Sequence, residues 1–123
     1  FMAKKKTDKV VNRLVIIGMG LIGSSLAAAV RERNIAKEVI GISRRKSTLE
    51  IALNNGIVDR CADDLVEVAS ELSSGDIVVI GVPTLSVPEV LKQCVELLSP
   101  EVTITDVASV KESVVIAAQE LFD

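Results

Sequence analysis

Leu14-Val15-Ile16-Ile17-Gly18-Met19-Gly20-Leu21-Ile22-Gly23 is the stretch that decides the fold. Four consecutive branched aliphatic residues read as a strand buried on both faces, and Gly18 closes it. The glycines then follow the spacing G-x-G-x-x-G, directly after that strand and at the head of an Ala-rich segment, residues 21–33, with helical periodicity. Each glycine has a task in such a turn. Gly18 permits a tight reversal, Gly20 leaves room for a pyrophosphate to approach the backbone, and Gly23 lets the helix pack close to the strand. The helix start, with Leu21 and Ile22, offers unpaired N–H groups to an anion. The stretch therefore reads as the first half of a dinucleotide-binding βαβ unit.

The alternation continues outward from it. Residues 39–42 form a second strand and 48–54 a second helix. Ile57-Val58 followed by Asp59-Arg60-Cys61 is a short third strand, 65–72 a third helix, 76–80 a strong fourth strand, 87–98 a helix, 102–105 a fifth strand and 110–121 a last helix. Strands of four or five residues separated by helices require right-handed crossovers and a parallel sheet covered on both faces. The expected fold is α/β, a doubly wound parallel sheet of Rossmann type with strand order 3-2-1-4-5. Ser47, Asp64, Ser86 and Ser109 each stand three residues before a Glu, a capping-box spacing that marks four helix starts.

Composition agrees with a buried parallel sheet. Of 123 residues, 49% are apolar and 25% charged, and 19 Val with 12 Ile make up a quarter of the chain against two Phe and no Tyr or Trp. The net charge of −3 is unevenly spread: residues 1–13 carry a local +4, leaving −7 on the remainder. A basic flexible tail over 1–12 followed by one domain over 13–123 is the expected organisation. An acidic body without aromatic platforms argues against nucleic acid as a partner, and no apolar run is long enough to span a membrane. Cys61 and Cys94 are 33 residues apart with no metal-ligand pattern, so neither a metal site nor a disulfide is expected, and a cytoplasmic location is. Histidine is absent, which removes the commonest general base.

Candidate cofactor contacts lie at the carboxyl ends of strands. An NAD-binding domain usually presents Asp or Glu about 20 residues beyond its glycine turn, to hold the ribose 2′-hydroxyl. Here the second strand ends in Ser43-Arg44-Arg45-Lys46. Arginines and a serine suit a 2′-phosphate, so NADP is expected in preference to NAD, with NAD still possible. Val82, Pro83 and Thr84 follow the fourth strand and are expected beside the cofactor, although a Pro-stiffened turn explains them equally well. After the fifth strand comes Thr105-Asp106-Val107-Ala108-Ser109-Val110-Lys111, in which the pattern alone makes Ser109 a helix cap.

The glycine turn with its flanks, Gly56-Ile57-Val58-Asp59-Arg60, the stretch 76–83, and above all Thr105-Asp106-Val107-Ala108-Ser109-Val110-Lys111, resemble the N-terminal nucleotide-binding domain of the prephenate/arogenate dehydrogenases of tyrosine biosynthesis. The likeness covers almost all of residues 13–121. It implies an oxidative decarboxylation of prephenate or arogenate with hydride transfer to NAD(P), and a homodimeric full-length enzyme. Ser109 would then sit beside the nicotinamide and orient the catalytic histidine and substrate. The family's His-Pro segment and helical C-terminal domain are not in this sequence. The chain is therefore expected to be C-terminally truncated relative to the family, to bind nucleotide, and to be inactive alone. The alternatives are a stand-alone NAD(P)-binding or interaction module, or another small-substrate Rossmann dehydrogenase.

Overall fold

A computed structural model describes residues 11–107. Its five strands are β1 (Val11–Ile17), β2 (Ala36–Ile42), β3 (Arg60–Ala62), β4 (Ile77–Ile80) and β5 (Thr103–Asp106), and its helices are α1 (Leu21–Glu32), α2 (Lys46–Asn54), α3 (Val66–Ala69) and α4 (Val87–Leu97). All strand pairs are parallel, in the order β3-β2-β1-β4-β5 that the sequence predicts. The chain leaves β1 toward β2 and β3 on one side, then returns to place β4 against the other edge of β1. That reversal opens a crevice at the carboxyl ends of β1 and β4.

Two apolar layers explain the unbroken aliphatic runs. Val15 and Ile17 of β1 face α3 and α4 with Ile40, Leu65, Val78, Cys94 and Leu98. Leu14 and Ile16 face the opposite side, where Ala27 and Val30 of α1 and Leu49 and Ala52 of α2 cover them. Alternate residues of one strand thus enter two different cores, and a strand buried on both faces has no polar position to alternate with.

α3 is a single turn, shorter than the 65–72 expected, and ion pairs occupy the α3 side of the sheet toward its amino end. Arg13 of β1 pairs with Glu38 of β2 at 3.4 Å, and Arg60 of β3 reaches Glu38 at 3.6 Å and Glu71 at 3.0 Å. Buried Asp76 accepts the Arg13 and Ser73 N–H groups, both at 2.9 Å, and faces the Arg13 guanidinium at 3.5 Å. This ties the start of β4 to β1.

Helix ends follow local chemistry more closely than helix starts. α1 and α2 both finish in the double hydrogen-bond pattern of a Schellman cap, with Asn34 and Gly56 at the left-handed position (φ 56° and 68°). Ile57 closes the second cap, and the β2 ladder resumes at Asp59, whose N–H meets the Val39 carbonyl at 2.8 Å. That is why β3 begins at Arg60 and not at Ile57. β1 and β2 each start three residues before the apolar runs that announced them, at Val11 and Ala36.

Of the four capping boxes expected, one forms as drawn. Glu67 Oε2 accepts the Asp63 and Asp64 N–H groups at 2.7 and 3.0 Å, and Asp64 Oδ1 accepts that of Val66 at 3.3 Å. Ser47 does not cap: α2 starts at Lys46, two residues before the expected 48, because Ser43 Oγ takes the Arg45 N–H at 3.1 Å and turns the chain there. Ser86 occupies the cap position of α4 but makes no side-chain bond to it. Its φ and ψ of −91° and −11° are helical, continuing the 3₁₀ turn Thr84–Ser86, and do not present the hydroxyl to the helix. The fourth box, at Ser109, lies outside the described residues.

Candidate nucleotide-binding cleft

The glycine turn is built as its spacing requires. Gly18 has a φ of 96°, and a Cβ there would come within 2.9 Å of the Gly81 backbone. The ends of β1 and β4 are that close because Gly81 N–H bonds to the Ile17 carbonyl at 2.7 Å. A Cβ on Gly23 would press into the Gly18 carbonyl, closer than the 3.0 Å that Cβ atoms essentially never breach. Gly20 is different: its φ of −77° and ψ of −167° suit any residue, and among the described residues no atom beyond its two chain neighbours lies within 4 Å of a Cβ placed there. Packing accounts for Gly18 and Gly23, but leaves Gly20 without an internal reason.

At the carboxyl ends of β1 to β4 lies a cleft of about 380 Å³. Ile17 and Gly18 close one end. Ser43, Arg44 and Arg45 enter after β2, Asp63 and Asp64 after β3, and Val82 and Pro83 after β4, while α4 contributes Glu89, Val90 and Gln93. Six positions chosen from the sequence, Gly18, Ser43, Arg44, Arg45, Val82 and Pro83, therefore share one cleft. Gly20, Leu21, Ile22 and Gly23 do not line it; they form the turn and the first helical residues, with Leu21 and Ile22 exposed. Thr84 opens the 3₁₀ turn beyond Pro83. Ser109 lies outside the described residues.

At the starts of α2 and α1 the electrostatics favour an anion. Arg44, Arg45 and Lys46 are exposed at the start of α2, whose first turn holds no acidic residue, and among the described residues none of the three is in an ion pair. Cations facing the positive end of a helix dipole are unfavourable by about 0.3–1 kcal/mol each unless an anion intervenes. α1 likewise starts without a side-chain cap or a first-turn acid, so its leading N–H groups are free of carboxylate competition.

Asp63, Asp64 and Gln93 are the cleft residues that reading the sequence for strand ends overlooks. Ile42 pairs with Ala62, and Ser43 N–H bonds to the Ala62 carbonyl at 3.2 Å, so Asp63 stands level with Ser43 one strand away. The loop after β2 has no acid, whereas the one after β3 places two, Asp63 and Asp64, in the cleft lining. Their signal was Asp63-Asp64 directly following the Cys61-Ala62 end of the third strand, the same carboxyl-end rule that singles out the other loops. Cys61 and Cys94 are both free, and burial pushes both thiols above the ordinary range.

Comparison with known proteins adds an independent line. Residues 26–123 match the family described as prephenate dehydrogenase, nucleotide-binding domain. A prephenate dehydrogenase of Lactococcus lactis subsp. cremoris is 34% identical over 113 residues, covering 91% of this chain and 30% of the relative. That of Bacillus subtilis is 29% identical over 115 residues, covering 93% and 30%. The chain thus spans under a third of the length of these relatives. Among solved structures, prephenate dehydrogenase from Aquifex aeolicus in complex with hydroxyphenyl propionate and NAD⁺ superposes with a TM-score of 0.70 at 25% identity, covering 78% of this chain and 33% of that one.

Proposed function

Because the chain belongs to the prephenate dehydrogenase family, as its nucleotide-binding domain, we propose that it holds the dinucleotide cofactor for the oxidative decarboxylation of prephenate or arogenate. The observation that carries this is Gly20: a position with open space for a Cβ and an ordinary backbone conformation, yet glycine, at the amino end of α1 two residues after Gly18 of the cleft. A pyrophosphate against that backbone supplies the reason that packing does not.

The residues present fit such a group. Gly18, Gly20, Leu21, Ile22 and Gly23 would hold the pyrophosphate, the cleft the adenosine half, and Val82, Pro83 and Thr84 the stretch toward the nicotinamide. Ser109, by its place in the family pattern, would orient substrate near that ring. Bound nicotinamide supplies a hydride acceptor. This chain's residues bind and orient it, and no histidine is present to take a proton. General acid–base help is worth about 10²–10⁴-fold in rate, so the chain on its own is expected to give no measurable turnover. Reduced cofactor appearing in a steady-state assay with prephenate or arogenate would overturn that expectation. The full-length enzyme would be a homodimer, as the resemblance implies, and the two cysteines without a disulfide or metal pattern favour a cytoplasmic location.

Within that reading the cofactor is NADP in preference to NAD, because Arg44 and Arg45 are in no ion pair among the described residues and stand beside Ser43. One observation favours NAD instead: Asp63, level with Ser43, offers an acceptor for a 2′-hydroxyl and repels a 2′-phosphate. Calorimetric titration separates them. NADP⁺ is expected to bind about tenfold tighter, with the difference lost in Arg44→Ala/Arg45→Ala, since charge-assisted contacts of this kind are worth about 1.5–3 kcal/mol. Tighter binding of NAD⁺, weakened by Asp63→Asn, would establish the second reading.

A further inference from the structure

We propose that Met19, the second residue of the glycine turn, is a positioning residue: seated against Gly41 of β2, it holds the turn in the shape that aims the leading N–H groups of α1 at a pyrophosphate; the inference rests on the cofactor-binding reading above. Gly18 is half-buried and Gly20, Leu21 and Ile22 are exposed, but Met19 between them is 5% exposed and belongs to the apolar layer under α1 and α2. Its place in that layer is made by a missing side chain. Val39 faces the α1 and α2 side of the sheet and Ile40 and Ile42 the other, so alternation puts residue 41 on the α1 and α2 side, where the chain carries glycine. The backbone of Gly41 is ordinary strand and does not ask for glycine. A Cβ there would come within 3.1 Å of Met19 Sδ and 3.2 Å of its Cγ, with Val58 Cγ1 at 3.3 Å. Glycine inside a strand marks a close approach, and Met19 is what approaches.

The main chain around Met19 is tied as well. Gly18 N–H bonds to the Ile42 carbonyl at 2.8 Å, Ser24 Oγ donates to the Met19 carbonyl at 3.3 Å, and Ser24 N–H meets the Gly20 carbonyl at 2.9 Å. The stretch leading into the first helical N–H groups is thus clamped between β2 and α1. Glycines at 18 and 20 would otherwise leave the turn several shapes, and an anion binding to a loose turn loses affinity to the ordering of it. A buried side chain between the two glycines removes that cost before the ligand arrives. An unbranched thioether suits the narrow space over Gly41.

Calorimetric titration of the full chain tests the assignment, with whichever dinucleotide binds tighter and with its adenosine fragment lacking the pyrophosphate: adenosine 2′-phosphate for NADP⁺, adenosine for NAD⁺. Met19→Ala is expected to weaken the dinucleotide about tenfold, the equivalent of one charge-assisted hydrogen bond, and the fragment by less than about twofold. Met19→Leu refills the space and should bind both ligands like the parent. Gly41→Ala presses on Met19 from the strand side without altering the turn. It is expected to weaken the dinucleotide about threefold in the parent and to add nothing to Met19→Ala, where the contact is already gone. Equal losses for dinucleotide and fragment, or a Gly41→Ala effect that persists beside Met19→Ala, would overturn the proposal and leave the cofactor reading intact. Should Met19→Ala not fold, as judged by circular dichroism, Gly41→Ala decides by itself, and unchanged dinucleotide binding there overturns the proposal. Binding of neither dinucleotide by the unsubstituted chain would overturn the cofactor reading and the proposal with it.

Discussion

Replacing Gly20 and Gly23 by alanine, one at a time, separates a glycine kept for a ligand from one kept for packing. At Gly20 the backbone already lies where alanine is at ease, so loss of unfolded-state entropy favours the variant by about 0.4–1 kcal/mol. Alanine is a poorer helix cap than glycine by roughly 1 kcal/mol. The two nearly cancel, and the melting temperature should move by less than about 5 °C. Binding should suffer heavily, because the methyl group projects into the open space where a phosphate would meet the backbone. Losing one or two charge-assisted bonds worth about 1.5–3 kcal/mol each weakens affinity by on the order of 100-fold. At Gly23 the added Cβ meets the Gly18 carbonyl, a backbone atom that cannot swing aside, and Ile16 at 3.3 Å. Overpacking of this kind costs about 1–3 kcal/mol and helix propensity returns at most about 1 kcal/mol, so a net loss of about 1–2 kcal/mol is expected. Thermal denaturation and titration with NADP⁺ and NAD⁺ measure both quantities. A Gly20→Ala protein that binds like the parent would refute the assignment of the turn to a phosphate.

Buried Asp76 anchors two backbone N–H groups and the Arg13 guanidinium, so Asp76→Ala should lower stability by about 3–4 kcal/mol in urea denaturation; a change under about 1 kcal/mol would show that the contacts carry no weight. Glu67→Ala removes the acceptor of two loop N–H groups and is expected to cost about 1 kcal/mol, and to loosen the Asp63-Asp64 loop as seen by faster amide exchange there. Burial raises the thiol pKa of Cys61 and Cys94 relative to the unfolded chain. Their contribution to stability is therefore present below the unfolded thiol pKa and lost as pH rises through the folded value, so stability should decline on the alkaline side. Alkylation at pH 8 should be slow in the folded protein, slowest at fully buried Cys94, and fast after denaturation.

Much of this molecule is legible without coordinates because its signals are local. A continuous Val/Ile run has to be buried on both sides, and the parallel order follows from strands separated by helices. The glycine spacing names its own turn. What local signals miss is where helices actually begin. Ser47 and Ser86 sit at capping spacing, yet Ser43 turns the chain before one and a 3₁₀ turn absorbs the other. Strand starts are missed for the same reason: polar Asn12, Lys37 and Glu38 lie within β1 and β2 although their side chains carry no aliphatic signal.

The sequence by itself determined the fold class, the strand order, the glycine turn and the loops that carry Ser43, Arg44, Arg45, Val82 and Pro83, since each is set by periodicity or by a residue's own backbone limits. Only the tertiary structure decided that Asp63 stands beside Ser43 and that Asp64 meets Gln93, residues 20 and 29 positions apart. Pairing across parallel strands and contact between a loop and a distant helix depend on register and crossing, which no window of sequence contains. The character of the cleft, cationic after β2 and carboxylate-lined after β3, emerges only when those strands are laid side by side.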